Sequence, residues 1–314
     1  MNAATRAVAL VGAAALDVAV GEPPGRWHPV AAVGTLLSLA HEPLRRRSPG
    51  TQLAGGALAL GAVALGAGLG AAAVERALGS GAAAAAGGAA VLKPGFALRQ
   101  LVEEAAAVAG ALERDHVDEA RTRLRALVSR PTEGLDEPLV AAAAIESLAE
   151  NLCDSVVAPW LAFAVLGLPG AAVYRVVNTA DAMYGYRGEL ELLGKAAART
   201  DDVCNWLPAR ATALALVGAA ACTERTAGSA LRCWRADGGS TESWNAGRPM
   251  AAMAGALQRR LEKPGQYALG AAYPPPDAAD VRRAIRLVRV AAGLALGGSV
   301  ALTLARPRRR RRPG

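Results

Sequence analysis

The chain has 314 residues, of which 53% are hydrophobic, 20% charged and 4% aromatic, and its mean hydropathy is +0.22. Soluble domains carry nearer a quarter charged residues, so the balance disfavours an ordinary soluble enzyme and fits helices that pack closely in lipid through Ala and Gly. A GC-rich genome would also inflate Ala, Gly and Arg, so motifs must decide the class. The net charge is +8, but Arg306, Arg308, Arg309, Arg310, Arg311 and Arg312 supply six positive charges. The basic balance therefore belongs to a tail and not to a nucleic-acid-binding face. Directly after an apolar segment, that tail reads as a cytoplasmic anchor. Cys153, Cys204, Cys222 and Cys233 form no C-x-x-C pair, and the histidines are His28, His41 and His116. Zinc and iron–sulfur spacings are thus excluded, and all four thiols are expected in apolar surroundings.

In chain order, the apolar stretches are 7–21 (interrupted by Asp17), 48–74, 77–92, 155–174, 203–223 (interrupted by Arg210) and 290–305. A bilayer span takes about 20 apolar residues, and each central charge costs roughly 2.5–3.5 kcal/mol on insertion scales. The expectation is an all-α, polytopic membrane bundle forming one domain over 1–314. About five spans lie near 7–21, 50–74, 155–174, 203–223 and 290–305. Polar helical segments fill 96–151 and 224–289. Stretch 77–92 is short and Gly-rich; it spans, dips in or packs on other helices. A cleaved signal peptide is not expected, because the first polar motif begins inside the first apolar run. No strand-length alternation persists.

Five polar clusters adjoin these spans, where polar groups are costly unless functional or paired. The first, 16–30, gathers Asp17, Glu22 and His28 around Pro23 and Pro24, with Trp27 at headgroup level; it also reads as an interfacial turn. In the second, 145–159, Glu146, Glu150 and Asp154 are spaced i, i+4, i+8 on one helical face beside Asn151. Like charges at that spacing repel, so a Mg²⁺, an arginine or a substrate ammonium should compensate. The third, 175–189, offers Asn178 and Asp181 on one face, followed by Tyr186 and Arg187. The fourth, 198–210, carries Arg199, Asp201, Asp202, Asn205 and Arg210. Carboxylates here suit Mg²⁺ held partly by phosphate oxygens, with Glu150, Asp154, Asp181 and Asp202 as candidate ligands. An arginine could grip a carboxylate or phosphate bidentately. Interhelical salt bridges are the plainer reading. In the fifth, 243–270, Asn245, Ala246 and Gly247 resemble a tight turn opening a helix. Gly188 to Lys195 nearly matches a phosphate-binding loop, but its spacing and the missing hydroxyl after Lys195 exclude one.

In this order, ESLAEN, YRVVNTADAM, GYR, DDVCNWLPAR and NAG-x-P closely resemble the CobD/CbiB family of adenosylcobinamide-phosphate synthases, from Leu16 to about Gly270. The resemblance implies a polytopic enzyme of the bacterial plasma membrane acting in cobalamin (vitamin B12) biosynthesis. It would be a carbon–nitrogen ligase joining a propionate carboxylate of (adenosyl)cobyric acid to (R)-1-amino-2-propanol or its O-phosphate. ATP and Mg²⁺ would be consumed or used, no cofactor would be tightly bound, and other cobalamin-pathway membrane enzymes are implied as partners. Glu146, Glu150, Asn151, Asp154, Asn178, Asp181, Arg199, Asp201 and Asp202 are then the candidate catalytic residues. Asp17, His28, Tyr186, Arg187, Asn205, Arg210, Asn245 and Gly247 are the candidate substrate-binding residues. A membrane transporter would also place polar residues beside broken helices. An intramembrane Mg²⁺-dependent prenyl transferase would want duplicated Asp-rich motifs, which the sequence lacks.

Overall fold

The computed structural model describes residues 1–22, 29–185 and 190–305. Trp27, His28, Tyr186, Arg187 and the arginine tail lie outside the described residues. The described chain is helical almost throughout: α1 (Ala3–Val20), α2 (Pro29–His41), α3 (Pro49–Leu78), α4 (Ala82–Leu92), α5 (Leu98–Leu112), α6 (Val117–Leu124), α7 (Glu137–Leu152), α8 (Ala158–Leu166), α9 (Leu168–Tyr184), α10 (Glu191–Cys204), α11 (Trp206–Thr223), α12 (Ala227–Asp237), α13 (Gly247–Leu257) and α14 (Ala278–Ala305). A π-turn, Cys153–Val157, joins α7 to α8. Among the described residues, five helices are long and apolar enough to cross a membrane: Ala3–Val20, Pro49–Leu78, Glu137–Leu166, Trp206–Thr223 and Ala278–Ala305.

The third of these differs from the expected stretch 155–174. Gly167 ends α8 with φ 74, a left-handed conformation that glycine adopts without a Cβ clash, and Pro169 sits in the first turn of α9, where its missing N–H is no loss. The long helix instead runs back to Glu137, through Glu146, Glu150 and Asp154. A charge-free search stops at those carboxylates. Stretch 77–92 is also settled. Helix α3 continues to Leu78, Gly79 (φ 69) closes it, and α4 has only 11 residues, about 16 Å of helix. The span expected at 203–223 begins later, because α10 runs through Cys204.

The expected absence of strands has one exception. β1 (Leu261–Lys263) pairs antiparallel with β2 (Tyr267–Leu269). Pro264 and Gly265 form the turn: Gln266 N donates to the Lys263 carbonyl at 2.9 Å, and Gly265 has φ 75. Proline followed by a positive-φ glycine is the type II signature. The thiols also divide. Cys153 and Cys233 are buried, Cys204 is intermediate and Cys222 is exposed. Burial, with the nearby Asp237 carboxylate, pushes the Cys233 thiol up to about 12.

Packing divides the chain into two compact units, each drawn from separated segments. The first comprises Met1–Phe96, Pro159–Asp201 and Leu296–Gly314. Within it, α1 packs on α4, and α3 on α9. The α1–α4 contact is built from small side chains, with Ala9, Ala13, Ala85 and Ala89 all buried. That allows the close backbone approach by which helices associate without a hydrophobic driving force. Glu75, 5% exposed, pins this unit: Arg6 Nε donates to it at 2.7 Å, the N-terminal ammonium lies 3.6 Å away, and Leu168 N donates to its other oxygen at 2.8 Å.

The second unit comprises Ala97–Ala158 and Asp202–Ala295. Helix α13 is its centre: it packs on α12, α11 and α7, and it is buried along almost its whole length. Helix α7 is capped by the Asp136 carboxylate, which accepts from Leu139 N at 3.0 Å, and carries Glu137 and Pro138 in its first turn, as N-terminal chemistry favours. Buried Asp280 holds Arg259 at 2.5 Å and Arg283 at 2.7 Å. Arg282 donates two parallel 2.9 Å bonds to Glu113 and holds that carboxyl below its ordinary range.

Glu75 generates a stability prediction. Glu75→Ala strands Arg6 and the Leu168 N–H, and removal of one partner from a buried pair costs roughly 3–5 kcal/mol. The detergent-solubilised protein should melt several degrees lower, with a smaller fall for Glu75→Gln. Unchanged melting of the alanine variant would show that the cluster is not what pins the unit.

Candidate active site

The second unit places three members of the acidic cluster on α7 and its π-turn. Glu146 is 4% exposed, and Arg130 Nη2 donates to it at 3.0 Å. Tyr267, on β2, stands beside the same carboxylate; burial first, and then the Glu146 charge, push its hydroxyl above the ordinary phenol range. The compensation that the i, i+4 spacing required is thus supplied to Glu146 by the protein's own arginine. Glu150 and Asp154 are half-buried. Asn151 donates to the Ser147 carbonyl at 3.1 Å and to its Oγ at 3.0 Å, and its own oxygen receives Ser155 Oγ at 3.4 Å. These bonds fix the amide beside Glu150. Asp154 falls inside the π-turn, where the wider spacing breaks the simple i+8 rule; only Glu146 and Glu150 keep regular α-helical register.

The same unit joins the fourth and fifth clusters. Asn245 Nδ2 donates to the Asp202 carbonyl at 2.8 Å. Arg210 Nη1 donates to the Trp206 carbonyl at 2.6 Å and reaches Asn245 Oδ1 at 3.5 Å, while its guanidinium lies 4.2 Å from the centre of the Trp206 ring. Asn205 is buried at the start of α11. Ser243 Oγ accepts from Asn245 N and Ala246 N at 3.3 and 3.2 Å, and α13 opens at Gly247. A Cβ on Gly247 would meet Thr241 Oγ1 at 2.7 Å and the Gly238 carbonyl at 2.8 Å. The glycine is required by packing, which accounts for it without a ligand.

In the first unit, Asn178 on α9 bridges Arg175, whose Nη1 donates to Asn178 Oδ1 at 3.2 Å, and Asp201 on α10, which receives Nδ2 at 3.5 Å. Asp201 is buried. Asp181 is half-buried one turn beyond Asn178, and Arg199 is exposed two residues before Asp201. Asp17 is 1% exposed and lies 3.1 Å from Lys93 Nζ, which also pairs with Glu22. That is a structural ion cluster, as the plainer reading of polar groups at this depth allows.

Among the described residues, no three His, Cys, Asp or Glu side chains are grouped to hold a metal ion. Four residues of these clusters carried no signal in spacing: Lys93, Arg130, Arg175 and Tyr267. Arg130 and Tyr267 come to α7 from elsewhere in the chain, so no local pattern could have announced them.

The Arg130–Glu146 pair can be tested without an activity assay. Arg130→Gln leaves a buried carboxylate without its cation, at a cost of about 3 kcal/mol or more. The melting temperature should fall, and the double variant with Glu146→Gln should recover most of the loss. Equal, additive losses from the two changes would disprove the coupling.

The family described as CobD/Cbib protein matches residues 10–288. The "Probable cobalamin biosynthesis protein CobD" of Thermococcus kodakarensis is 38% identical over 277 residues, covering 88% of each chain. The "Cobalamin biosynthesis protein CobD" of Rhodobacter capsulatus is 37% identical over 310 residues, covering 94% of this chain and 96% of that one. A protein of the same description from Dehalococcoides mccartyi is 47% identical over 175 residues, a match that spans 56% of this chain and 57% of the relative. No solved structure matches. The five motifs and a match that runs through nearly all of the helical elements place the chain in the CobD/CbiB family.

Proposed function

We propose that the chain is an amide-forming ligase of cobalamin biosynthesis in the bacterial plasma membrane. It joins a propionate carboxylate of (adenosyl)cobyric acid to (R)-1-amino-2-propanol or its O-phosphate, with ATP as co-substrate. The observation that carries this reading is the family match across residues 10–288, and the acidic face of α7 supports it. A carboxylate is a poor acyl donor until its oxygen leaves as part of a better leaving group. Transfer of the ATP γ-phosphoryl group to the propionate oxygen gives an acyl phosphate and ADP. The amine nitrogen then attacks the acyl carbon, phosphate departs with the former carboxylate oxygen, and the amine gives up a proton.

The residues suit the amine half of this sequence. An alkylammonium is attracted by carboxylates, and it must be deprotonated before it attacks. Arg130 already neutralises Glu146. Glu150 and Asp154, half-buried on the same helical stretch, are the groups placed to hold the ammonium and accept its proton, with Asn151 fixed between them. Mg²⁺ belongs with the nucleotide phosphates in this reading, with one or two carboxylates of the chain beside it.

Two experiments test the proposal. A deletion strain should grow on cobinamide and not on cobyric acid; growth on cobyric acid alone overturns the assignment. Glu150→Gln keeps the side-chain shape and removes the charge, and amide formation should fall by about a hundredfold or more while melting stays near wild type. Wild-type turnover in that variant would reduce Glu150 to a solvated surface group.

A further inference from the structure

Two guanidiniums come together in the second unit, where α11 and α13 pack on each other. Arg210 lies one turn into α11, and Arg248 follows Gly247 in the first turn of α13. Asn245 joins them: its Oδ1 lies 3.5 Å from Arg210 Nη1, and its carbonyl accepts from Arg248 N at 2.9 Å. The two charges repel one another. Arg130, Arg259 and Arg283 of the same unit each hold a carboxylate, whereas neither Arg210 nor Arg248 pairs with one among the described residues. We propose that Arg210 and Arg248 form a subsite for a phosphate monoester, supplied by the O-phosphate of the amine co-substrate. The inference rests on the ligase reading above and deepens it, by choosing the phosphorylated amine over the free one.

Arg210 is already oriented. Nη1 donates to the Trp206 carbonyl at 2.6 Å, and the guanidinium stacks 4.2 Å from the centre of the Trp206 ring. The Nε–Nη2 edge has no acceptor among the described residues, and it presents two parallel N–H donors of the kind that grip a phosphate. Arg248 is half-buried, and its Nε is buried without a hydrogen-bond partner. Its side chain runs past Gly238 and Gly239, where an added Cβ would lie 3.2 Å from Cδ and 3.8 Å from Nη2. Charge then selects the ligand. A carboxylate neutralises one guanidinium and leaves its neighbour unpaired. A phosphate monoester carries about −1.5 to −2 near pH 7 and three strong acceptor oxygens, which match two guanidiniums. The positive end of α13 adds to the same sign. The source follows from packing: α11 rests on the π-turn and α13 on α7, the stretch that carries Glu150 and Asp154. An aminoalkyl phosphate, cationic at one end and anionic at the other, fits an acidic stretch and a guanidinium pair held in one unit.

The test uses full-length protein in phosphatidylcholine nanodiscs, with the free amine, its O-phosphate, ATP and inorganic phosphate as probes. Wild type should bind the amine phosphate more tightly than the free amine. Arg248→Gln and Arg210→Gln should each weaken the amine phosphate by roughly ten- to hundredfold and change the free amine by less than about twofold. Arg248→Lys should keep part of the preference. Ligand-free Arg248→Gln should melt at or above wild type, since the change removes a repulsion and no hydrogen bond; its lost affinity is then not a lost fold. Equal affinity of wild type and Arg248→Gln for the amine phosphate overturns the subsite, as does a parallel loss of both amine forms. Arg248-dependent binding of ATP with unchanged amine phosphate overturns the assignment to the amine. A dependence on Arg248 that emerges only when phosphatidic acid is added to the disc gives the pair to a lipid headgroup and overturns it too. Inorganic phosphate separates this inference from the ligase reading: it should raise the melting temperature of wild type and not of Arg248→Gln. Protein that shows this shift but joins neither amine to cobyric acid keeps the phosphate subsite and defeats the ligase reading. Protein that forms the amide equally well with and without Arg248 keeps the ligase reading and defeats the subsite.

Discussion

A charge carried into an apolar helical protein must meet its neutralising partner locally, and this constraint organises both units. An isolated buried ion costs several kcal/mol even after relaxation. Four of the buried carboxylates described above have a cation against them. Glu75 holds Arg6 and the amino terminus, Asp17 holds Lys93, Glu146 holds Arg130, and Asp280 holds Arg259 and Arg283. Several of these pairs also satisfy backbone. Glu75 takes the Leu168 N–H at the start of α9, and Asp280 accepts Asp277 N at 3.2 Å. The pairs therefore act as fixed points at which helix ends are tied down.

The same constraint sorts the acids by depth. Sequence alone made Glu146 and Asp201 catalytic candidates beside Glu150 and Asp154, with Asp17 a candidate for substrate binding. Burial divides them: Asp17, Glu146 and Asp201 are buried. Asp17 and Glu146 are committed to Lys93 and Arg130, so converting either to a catalytic base would first require breaking an ion pair. Glu150 and Asp154 keep partial exposure on the same helical stretch, which is what a group that exchanges substrate needs.

The helical class and the five apolar helices were legible because hydrophobic runs and Gly–Pro breaks are local. The errors came where a tertiary partner changes the local rule. Glu146, Glu150 and Asp154 look unacceptable in a span, so the third span was placed after them; Arg130 is what makes Glu146 acceptable there. Leu168–Pro169 lay inside a run without charges, yet Gly167 ends the helix because Glu75, far back in the chain, receives the freed Leu168 N–H. Within the site, Asn178 and Asp201 were both named from sequence, and the bond between them depends on α9 and α10 coming together. Arg130 lay outside every cluster and Tyr267 was not singled out within the fifth, because each comes beside Glu146 only through the fold.

The π-turn shows how one local residue shapes the candidate site. Pro159 has no N–H to give to Ser155, four residues earlier, and its ring would press on that carbonyl in a regular helix. The helix widens at Cys153–Val157, with Ala158 N bonding back to the Cys153 carbonyl, and the Ser155 carbonyl accepts from Ala97 N at 3.2 Å instead. The proline thus frees an acceptor, and the start of α5 uses it. The widening falls on Asp154 and begins directly after the Glu150–Asn151 pair, so it turns Asp154 away from the register that a straight helix would impose. π-turns recur at functional sites because a backbone defect of this kind re-aims side chains at little cost elsewhere. Here the defect comes from a proline visible in the sequence, and its effect falls on the carboxylate that the helical-wheel argument placed least well.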